Sequence, residues 1–168
     1  VGGSIFGRFG FSDVLTVFLA MDTQVELYHA GMVPLKDFVD MPYDNDILIA
    51  LHVAKKPIRI AYLSQRNTAT DFPVIACAVS EYDDSLHVSI GARPVHAGLI
   101  ELPLSSAKPD GFGKQFPKGF EKDETLVKEL AIWCADQFTY GNNRRAGADY
   151  RKHVAGVLIR RAICSFGK

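Results

Sequence analysis

The chain lacks the three features that most directly assign a protein to a functional class: an excess of one charge, a long apolar run and paired cysteines. Its 168 residues include 19 basic and 19 acidic side chains, so the uniform positive field of most nucleic-acid binders is missing. Its longest mainly apolar stretch, residues 14–21, is far shorter than the roughly 20 residues that cross a bilayer. No leader pattern is visible. We therefore expect a cytoplasmic globular protein with no nucleic-acid partner and no membrane span.

Motifs for metal binding and nucleophilic catalysis are scarce as well. The three cysteines are widely spaced and form no C-x-x-C pair, the histidines show no ligand spacing, and no serine lies in a G-x-S-x-G elbow. We predict core thiols at Cys77, Cys134 and Cys164, and strand histidines that face solvent or bond to backbone. Neither a hydrolase nor a metal site is expected.

What the sequence does contain is a regular succession of elements. After a glycine-containing turn, Ser12 and Asp13 can cap a helix over residues 12–22. Residues 24–29 alternate as a strand does, and residues 36–39 predict a short helix. The buried stripe predicted for the first helix comprises Val14, Val17, Phe18 and Met21.

The rest of the chain predicts strands and then helices. Four β-like stretches cover residues 47–53, 58–64, 72–79 and 86–92, with a further candidate at 98–102; strands joined this closely pair in antiparallel fashion. Two helices, over residues 124–138 and 146–165, close the chain. Their predicted buried residues are Leu126, Leu130, Trp133 and Cys134 in the first, and Tyr150, Val154, Val157, Leu158 and Ala162 in the second.

These elements predict an α+β fold in two parts. The break at Lys55-Lys56-Pro57 is the expected boundary, so the parts are residues 1–54 and 55–168. In the second part, an antiparallel sheet of three to four strands should pack against the two C-terminal helices.

Residues 103–123 mix Pro, Gly, Lys and Phe and show neither the apolar spacing of a helix nor the alternation of a strand. They predict a loop or insertion. A phosphate loop is rejected there, because Lys108 stands where its first glycine is needed and Gln115 follows the Gly-Lys pair instead of Ser or Thr. Phe112, Phe116 and Phe120 are interleaved with lysines, as in some surfaces that stack on single-stranded nucleic acid. With balanced charge, we favour a surface insertion whose rings pack into the fold or against a partner subunit.

The chain opens on paired glycines, Gly2 and Gly3. Glycines let a backbone approach a phosphate or a flat ring closely, and a following helix N-terminus adds free N–H donors. On the glycines alone, a plain turn with a helix cap is the simpler interpretation.

The larger pattern resembles the FAD-binding subunit of the molybdenum hydroxylases, the xanthine dehydrogenase and carbon monoxide dehydrogenase family. Residues 1–4 (VGGS) resemble its T-I-G-G-[NS] turn, and Asp13 lies at the family's spacing from that turn. Six further stretches resemble family motifs in the family's order: residues 19–25 (LAMDTQV), 33–38 (VPLKDF), 46–53 (DILIALHV), 66–79 (RNTATDFPVIACAV), 89–97 (SIGARPVHA) and 146–162 (AGADYRKHVAGVLIRRA). The resemblance covers the whole chain, and seven motifs in order make it specific.

The resemblance implies a fold and a set of FAD contacts. Residues 1–54 would be the tail of a flavin-binding α/β domain, and residues 55–168 the C-terminal domain of the subunit. Gly2, Gly3 and Ser4 would lie along the FAD, Leu48 would pack near the flavin ring, and Asp13 would accept hydrogen bonds from FAD hydroxyls or hold the turn. No side chain is expected to act as an acid, base or nucleophile.

The resemblance also implies partners. Electrons would leave a molybdopterin-binding subunit, pass through 2Fe-2S clusters on an iron-sulfur subunit, reduce FAD and reach an acceptor such as NAD. The first half of the subunit, with its other glycine loop, would precede Val1. We therefore expect this chain to be a C-terminal part that binds FAD weakly or not at all by itself.

Two departures from the family pattern bear on the cofactor. The family member that acts on xanthine has a lysine where Tyr62 or Leu63 stands, and Ser-Pro where Phe9 and Gly10 stand. These changes leave the electron acceptor open. They also keep a second interpretation, a flavin-free assembly or docking module of the same fold that uses its Phe- and Lys-rich segment as the docking surface.

Overall fold

The computed structural model describes residues 1–43, 45–105, 112–114 and 116–167. These residues form two antiparallel sheets, of strand order β2-β1-β3 and β4-β5-β6-β7, and a set of helices. In chain order the elements are α1 (Gly2–Phe6), α2 (Asp13–Leu19), β1 (Thr23–Leu27), β2 (Gly31–Pro34), α3 (Leu35–Phe38), β3 (Leu48–Val53), β4 (Arg59–Gln65), β5 (Ile75–Tyr82), β6 (Ser85–Gly91), β7 (Gly98–Pro103), a 3-10 turn (Phe120–Lys122), α4 (Glu124–Asp136) and α5 (Ala148–Ser165). The predicted α+β fold, with a small antiparallel sheet packed against two C-terminal helices, is confirmed.

The first sheet is assembled around β1. The β1–β2 hairpin pairs Val25 with Val33, and β3 pairs with the other edge of β1, where Val25 lies opposite Leu51. The prediction of one antiparallel series from residue 47 onward is therefore wrong for its first strand, which joins β1 and not β4. Pairing with β3 satisfies backbone groups that the hairpin alone would leave open at the edge of β1.

The second sheet is covered on both faces. Its β5–β6 hairpin turns at Asp83 and Asp84, whose φ angles of 48° and 56° are those of the left-handed region that tight hairpins use. Helices α4 and α5 cover one face, and α2 lies against β5 and β6 on the other. The core under α4 and α5 includes Ile75, Cys77, Val79, Leu86, Val88, Ile90, Leu130, Cys134, Leu158 and Ala162.

Small side chains let α2 approach the sheet closely. A Cβ at Gly91 would lie 2.0 Å from the Thr16 hydroxyl oxygen, and the Ser80 hydroxyl donates to the carbonyl of Ala20. Since α2 also carries Leu15 and Leu19 of the smaller core around the first sheet, this helix ties the two sheets together. The division at residues 54 and 55 stays a prediction.

The buried helix faces differ from the predicted stripes. Helix α2 buries Leu15, Thr16 and Leu19 instead of Val14, Val17, Phe18 and Met21, and Tyr150 of α5 is exposed. In α4 and α5, Leu130, Cys134, Leu158 and Ala162 are buried as predicted, while Leu126, Trp133, Val154 and Val157 lie at the margin. The structure buries Val127, Ala131, Ala135, Arg151, Ala155, Ile159 and Ile163 beside them. Alanines at the centre let helices pack closely, so larger side chains move to the edge.

The aromatic segment before α4 packs into the fold. The Phe116 and Phe120 ring centroids are 5.0 Å apart, those of Phe112 and Trp133 are 5.8 Å apart, and Phe120 is buried. The expected tucking of these rings into the fold is confirmed for the described residues. Lys108, Gly111 and Gln115, on which the phosphate-loop argument depended, lie outside them.

Two of the three predicted core thiols are in the core: Cys77 and Cys134 are buried, and burial raises the pKa of both. Cys164 is only partly buried and packs against the margin of the core. His87 of β6 is 5% exposed and stacks on Tyr82, with ring centroids 3.9 Å apart. Of the two situations expected for strand histidines, exposure to solvent and bonding to backbone, the first is wrong for His87. Among the described residues, no helix is long and apolar enough to cross a membrane, and no three potential metal ligands are grouped.

The buried histidine predicts a pH dependence of stability. Burial lowers the pKa of His87 from its ordinary value of 6.5, so the unfolded chain takes up the proton first as the pH falls. Above the ordinary pKa of histidine, the neutral ring contributes its full stability to the fold. This contribution is lost as the pH falls from that pKa through the lowered pKa of His87 in the folded state. We expect His87→Phe, which keeps a ring against Tyr82, to reduce the loss of unfolding free energy between about pH 7 and 5. Urea titrations at both pH values measure this, and equal losses in the two proteins would contradict it.

Candidate cofactor-binding site

Three of the five predicted contact residues meet at an open cleft. Gly2 and Gly3 of α1 and Leu48 at the start of β3 line a space of about 370 Å³, together with Phe6, Asp46 and Ile47. The predicted glycine turn is a helix in the structure, since α1 spans Gly2–Phe6. Ile5 anchors α1 in the core with no exposed surface, so the glycine face of this helix is left outward.

Packing among the described residues does not require the glycines. Within that part of the chain, a Cβ built on Gly3 meets no atom within 4 Å, and one on Gly2 meets only the Leu48 side chain, at 4.0 Å. Both glycines have negative φ, because neither is among the positive-φ glycines of the described residues. Alanine would fit and would favour the helix by about 1 kcal/mol at an interior position. What the glycines provide is a bare backbone facing the cleft.

Backbone N–H groups fix the position of Asp46, the acidic residue that lines the cleft. The Asp46 carboxylate accepts hydrogen bonds from the backbone N–H groups of His29 and Ala30, both at 2.9 Å, and from its neighbour Ile47 at 2.8 Å. Burial opposes ionisation, but these donors outweigh it and lower the pKa of Asp46. The β1–β2 hairpin thus fixes the segment that leads into Leu48.

Ser4 and Asp13 do not line this cleft. Ser4 is half-buried in α1. Asp13 follows Ser12, whose hydroxyl caps α2 by accepting from the N–H of Leu15 at 3.0 Å. The Asp13 carboxylate accepts hydrogen bonds from the Tyr62 hydroxyl and, at 2.7 Å, from the Arg66 guanidinium.

The Asp13 contacts alter the titration of both partners. Burial, and then the Asp13 carboxylate, raise the pKa of the Tyr62 hydroxyl, and the hydrogen bond to Asp13 raises the pKa of Arg66. Arg66 also donates to the carbonyl of Asp71 at 2.6 Å. Asp13 therefore fixes the start of α2 to β4 and to the loop that follows it.

A stack of exposed rings lies beside this cluster. Phe9 and Phe11 are nearly parallel, at an interplanar angle of 2° and 5.4 Å between centroids, and the Phe11 centroid is 4.3 Å from that of Phe72. Each of the three side chains is between 44% and 50% exposed. Phe9, one of the positions at which the sequence departs from the family pattern, is thus part of an aromatic surface.

Buried arginines were missed by reasoning from the sequence. Arg8, Arg93 and Arg151 are each at most 6% exposed and donate to backbone carbonyls. Arg151 of α5 donates to the carbonyls of Val74 and Ala92, and so joins β5 to the end of β6. A single arginine in an amphipathic pattern gives no sign that it points inward.

Solved structures with the same fold are oxidoreductases. The chain superimposes on quinoline 2-oxidoreductase from Pseudomonas putida 86 with a TM-score of 0.75 and 13% identity, covering 98% of this chain and 59% of that one. It matches reconstituted CO dehydrogenase from Oligotropha carboxidovorans with a TM-score of 0.75, 16% identity and coverages of 96% and 58%. The chain shares the fold of these oxidoreductase chains.

A third match extends this result. CO dehydrogenase from Hydrogenophaga pseudoflava, in a form lacking the Mo-pyranopterin moiety of the molybdenum cofactor, gives a TM-score of 0.74 at 19% identity, with coverages of 96% and 58%. The resemblance to the carbon monoxide dehydrogenase family is thus confirmed at the level of the fold. The chain spans about three fifths of the length of the solved chains it matches. No protein-family model and no curated protein sequence matches the chain.

Proposed function

We propose that this chain is part of the FAD-binding subunit of a molybdenum-containing hydroxylase or dehydrogenase. The observation that carries the proposal is the glycine cleft: two glycines with no internal packing role face an apolar residue, Leu48, on a fold shared with CO dehydrogenase chains. A bare backbone beside an apolar wall suits a flat ring system or a pyrophosphate that must approach closely. The residues present therefore fit FAD.

The residues of the chain divide the work of holding FAD. Gly2 and Gly3 offer their backbone to the cofactor, Ser4 adds a hydroxyl on the same helix, and Leu48 packs against the ring and sets its polarity. We assign Asp13 the second of its two expected roles, holding the turn, because both of its carboxylate oxygens already accept hydrogen bonds from Tyr62 and Arg66. When bound, FAD would supply the redox chemistry, and the protein its position and electrostatics.

The proposal includes a route for electrons. A molybdopterin-binding subunit and an iron-sulfur subunit with 2Fe-2S clusters would deliver them, and an acceptor such as NAD would receive them. Support comes from two CO dehydrogenase structures that the chain matches. One is of a form that lacks the Mo-pyranopterin moiety of the molybdenum cofactor, and the other is of a Cu,Mo-CO dehydrogenase. Residues 1–54 would complete the flavin-binding domain, and residues 55–168 would form the C-terminal domain.

Replacing Gly3 with alanine separates cofactor binding from folding. Because a Cβ at Gly3 meets nothing within 4 Å, we expect the free energy of unfolding without FAD to stay constant or to rise by up to about 1 kcal/mol. In the full-length subunit, the same Cβ should hold FAD away from the backbone and weaken binding at least about tenfold. Urea unfolding and titration of the apoprotein with FAD measure the two effects.

The matched control is Gly156→Ala in α5, where a new Cβ would make only ordinary contacts, at 3.7 and 3.9 Å. We expect this variant to bind FAD as the unaltered protein does. Unchanged FAD affinity in Gly3→Ala would contradict the assignment of the cleft. A full-length protein that takes up no FAD at all would instead favour the flavin-free assembly module.

A further inference from the structure

A second cavity lies between α3, the β6–β7 connection and the segment that follows α4. It encloses about 340 Å³ and shares no lining residue with the glycine cleft. That volume falls at the lower end of the range for small-molecule sites. Its charged and titratable lining residues are Lys36, Asp40, Arg93, His96 and Glu101.

Arg93 is the unusual member of this set. It is 6% exposed, and its terminal nitrogens donate to the carbonyls of Thr139 at 3.1 Å and His96 at 2.9 Å. Its Nε has no hydrogen-bond partner, and among the described residues no carboxylate pairs with the guanidinium, although the Asp40 carboxylate is near enough to favour its charged form. A buried charge without a counterion is unfavourable, and burial lowers the pKa of this guanidinium.

The two acidic residues of the cavity each lie near a basic one. Lys36 Nζ lies 3.0 Å from Glu101 Oε2, and His96 Nε2 lies 3.4 Å from Asp40 Oδ1, a contact that is an ion pair only while the imidazole is protonated. Among the described lining residues, Arg93 is the charged side chain without an ion-pair partner within 4 Å. A ligand carboxylate at the guanidinium would supply that partner.

The position of the guanidinium depends on a glycine. A Cβ on Gly98 would lie 2.7 Å from Arg93 Nη2 and 3.3 Å from the Phe138 ring. The guanidinium itself is 5.2 Å from the centroid of that ring. Gly98 thus provides the room in which Arg93 reaches the wall of the cavity.

We propose that this cavity binds an organic monocarboxylate. The planar guanidinium of Arg93 matches the two oxygens of a carboxylate, and Val39, Leu99 and Phe138 give the apolar body of the ligand a surface to contact. The carboxylates of Asp40 and Glu101 disfavour a multiply charged anion such as inorganic phosphate. The bound ligand would bridge α3 and the second sheet.

Calorimetric titration of the full-length protein with benzoate, benzamide and inorganic phosphate tests this proposal. Benzamide has the shape of benzoate without its charge, and phosphate has the charge without the apolar body. We expect benzoate to bind at least about tenfold more tightly than either. Arg93→Met should weaken benzoate binding by a similar factor, and Arg160→Met, at an exposed arginine of α5, should leave it unchanged.

Equal binding of benzoate and benzamide, tighter binding of phosphate, or undiminished benzoate binding by Arg93→Met would overturn the proposal. If Arg93→Met does not fold, Asp40→Asn decides, since the Asp40 side chain is 75% exposed. Removing this carboxylate should tighten benzoate binding, and unchanged or weaker binding would overturn the proposal. Because Gly3→Ala alters only the glycine cleft, it should leave benzoate binding intact whether or not FAD binds there.

Discussion

Replacing Arg151 with methionine is expected to lower the free energy of unfolding by about 3 kcal/mol. The guanidinium holds the carbonyls of Val74 and Ala92 inside the fold, and a buried carbonyl that loses its partner costs about 1–3 kcal/mol. Among the described residues, Arg151 has no carboxylate partner, so removing its buried charge offsets part of this loss, and we expect less than the sum of both carbonyls. Urea unfolding followed by circular dichroism measures the change.

Lys152 provides the control for Arg151. It is the next residue on α5, it is exposed, and its ion pair with Asp136 at 2.9 Å lies at the surface. Surface ion pairs of this kind contribute about 0–1 kcal/mol, so Lys152→Met should change stability by no more than that. Equal losses of unfolding free energy in the two variants would show that the hydrogen bonds of Arg151 to the carbonyls of Val74 and Ala92 do not stabilise the fold.

Replacing Gly91 with alanine is the second substitution with a large expected effect. The new Cβ would lie 2.0 Å from the hydroxyl oxygen of Thr16, which has no exposed surface. Relief requires Thr16 to rotate and give up its hydrogen bond to Ser12, or α2 to move away from β6, and overpacking of this kind costs about 1–3 kcal/mol or more. We expect a loss of about 3 kcal/mol in unfolding free energy, measured by urea titration.

A double substitution identifies the cause of that loss. Thr16→Ala removes the two atoms of Thr16 other than Cβ that a Cβ at Gly91 would meet, at 2.0 and 3.6 Å. Its own cost includes the hydrogen bond from the hydroxyl to the carbonyl of Ser12, at 3.0 Å. Gly91→Ala combined with Thr16→Ala should therefore be less destabilising than the sum of the two single changes. Simple additivity would contradict the close contact between α2 and β6.

The elements of this fold could be predicted from the sequence more readily than their partners. The β-like runs on either side of the Asp83-Asp84 turn identify β5 and β6 and pair them, because a two-residue turn leaves no other arrangement. The partner of β3 is not encoded in this way. The sequence of β3 predicts a strand, while the choice of β1 as its partner depends on an open edge that the tertiary fold creates.

The candidate site could likewise be predicted only in part, since its residues were identifiable but several of their contacts were not. The paired glycines and Leu48 could be matched to a family motif, and the structure places them at one cleft. The contacts of Asp13 with Tyr62 and Arg66 could not be foreseen, since they join α2 to a strand about 50 residues further along the chain. The inward direction of Arg93 and Arg151 was hidden for a related reason, because all but one of the acceptors that the structure gives them are backbone carbonyls, which carry no residue-specific signal.

Flavin binding by the full-length protein is tested most simply by its visible absorption spectrum as purified, recorded with and without added FAD. We expect a flavin spectrum that is lost or strongly reduced when Gly3 is replaced by a bulky residue such as leucine. The Gly156→Ala protein should keep its colour. A colourless full-length protein that takes up no added FAD would show that the glycine cleft does not bind this cofactor.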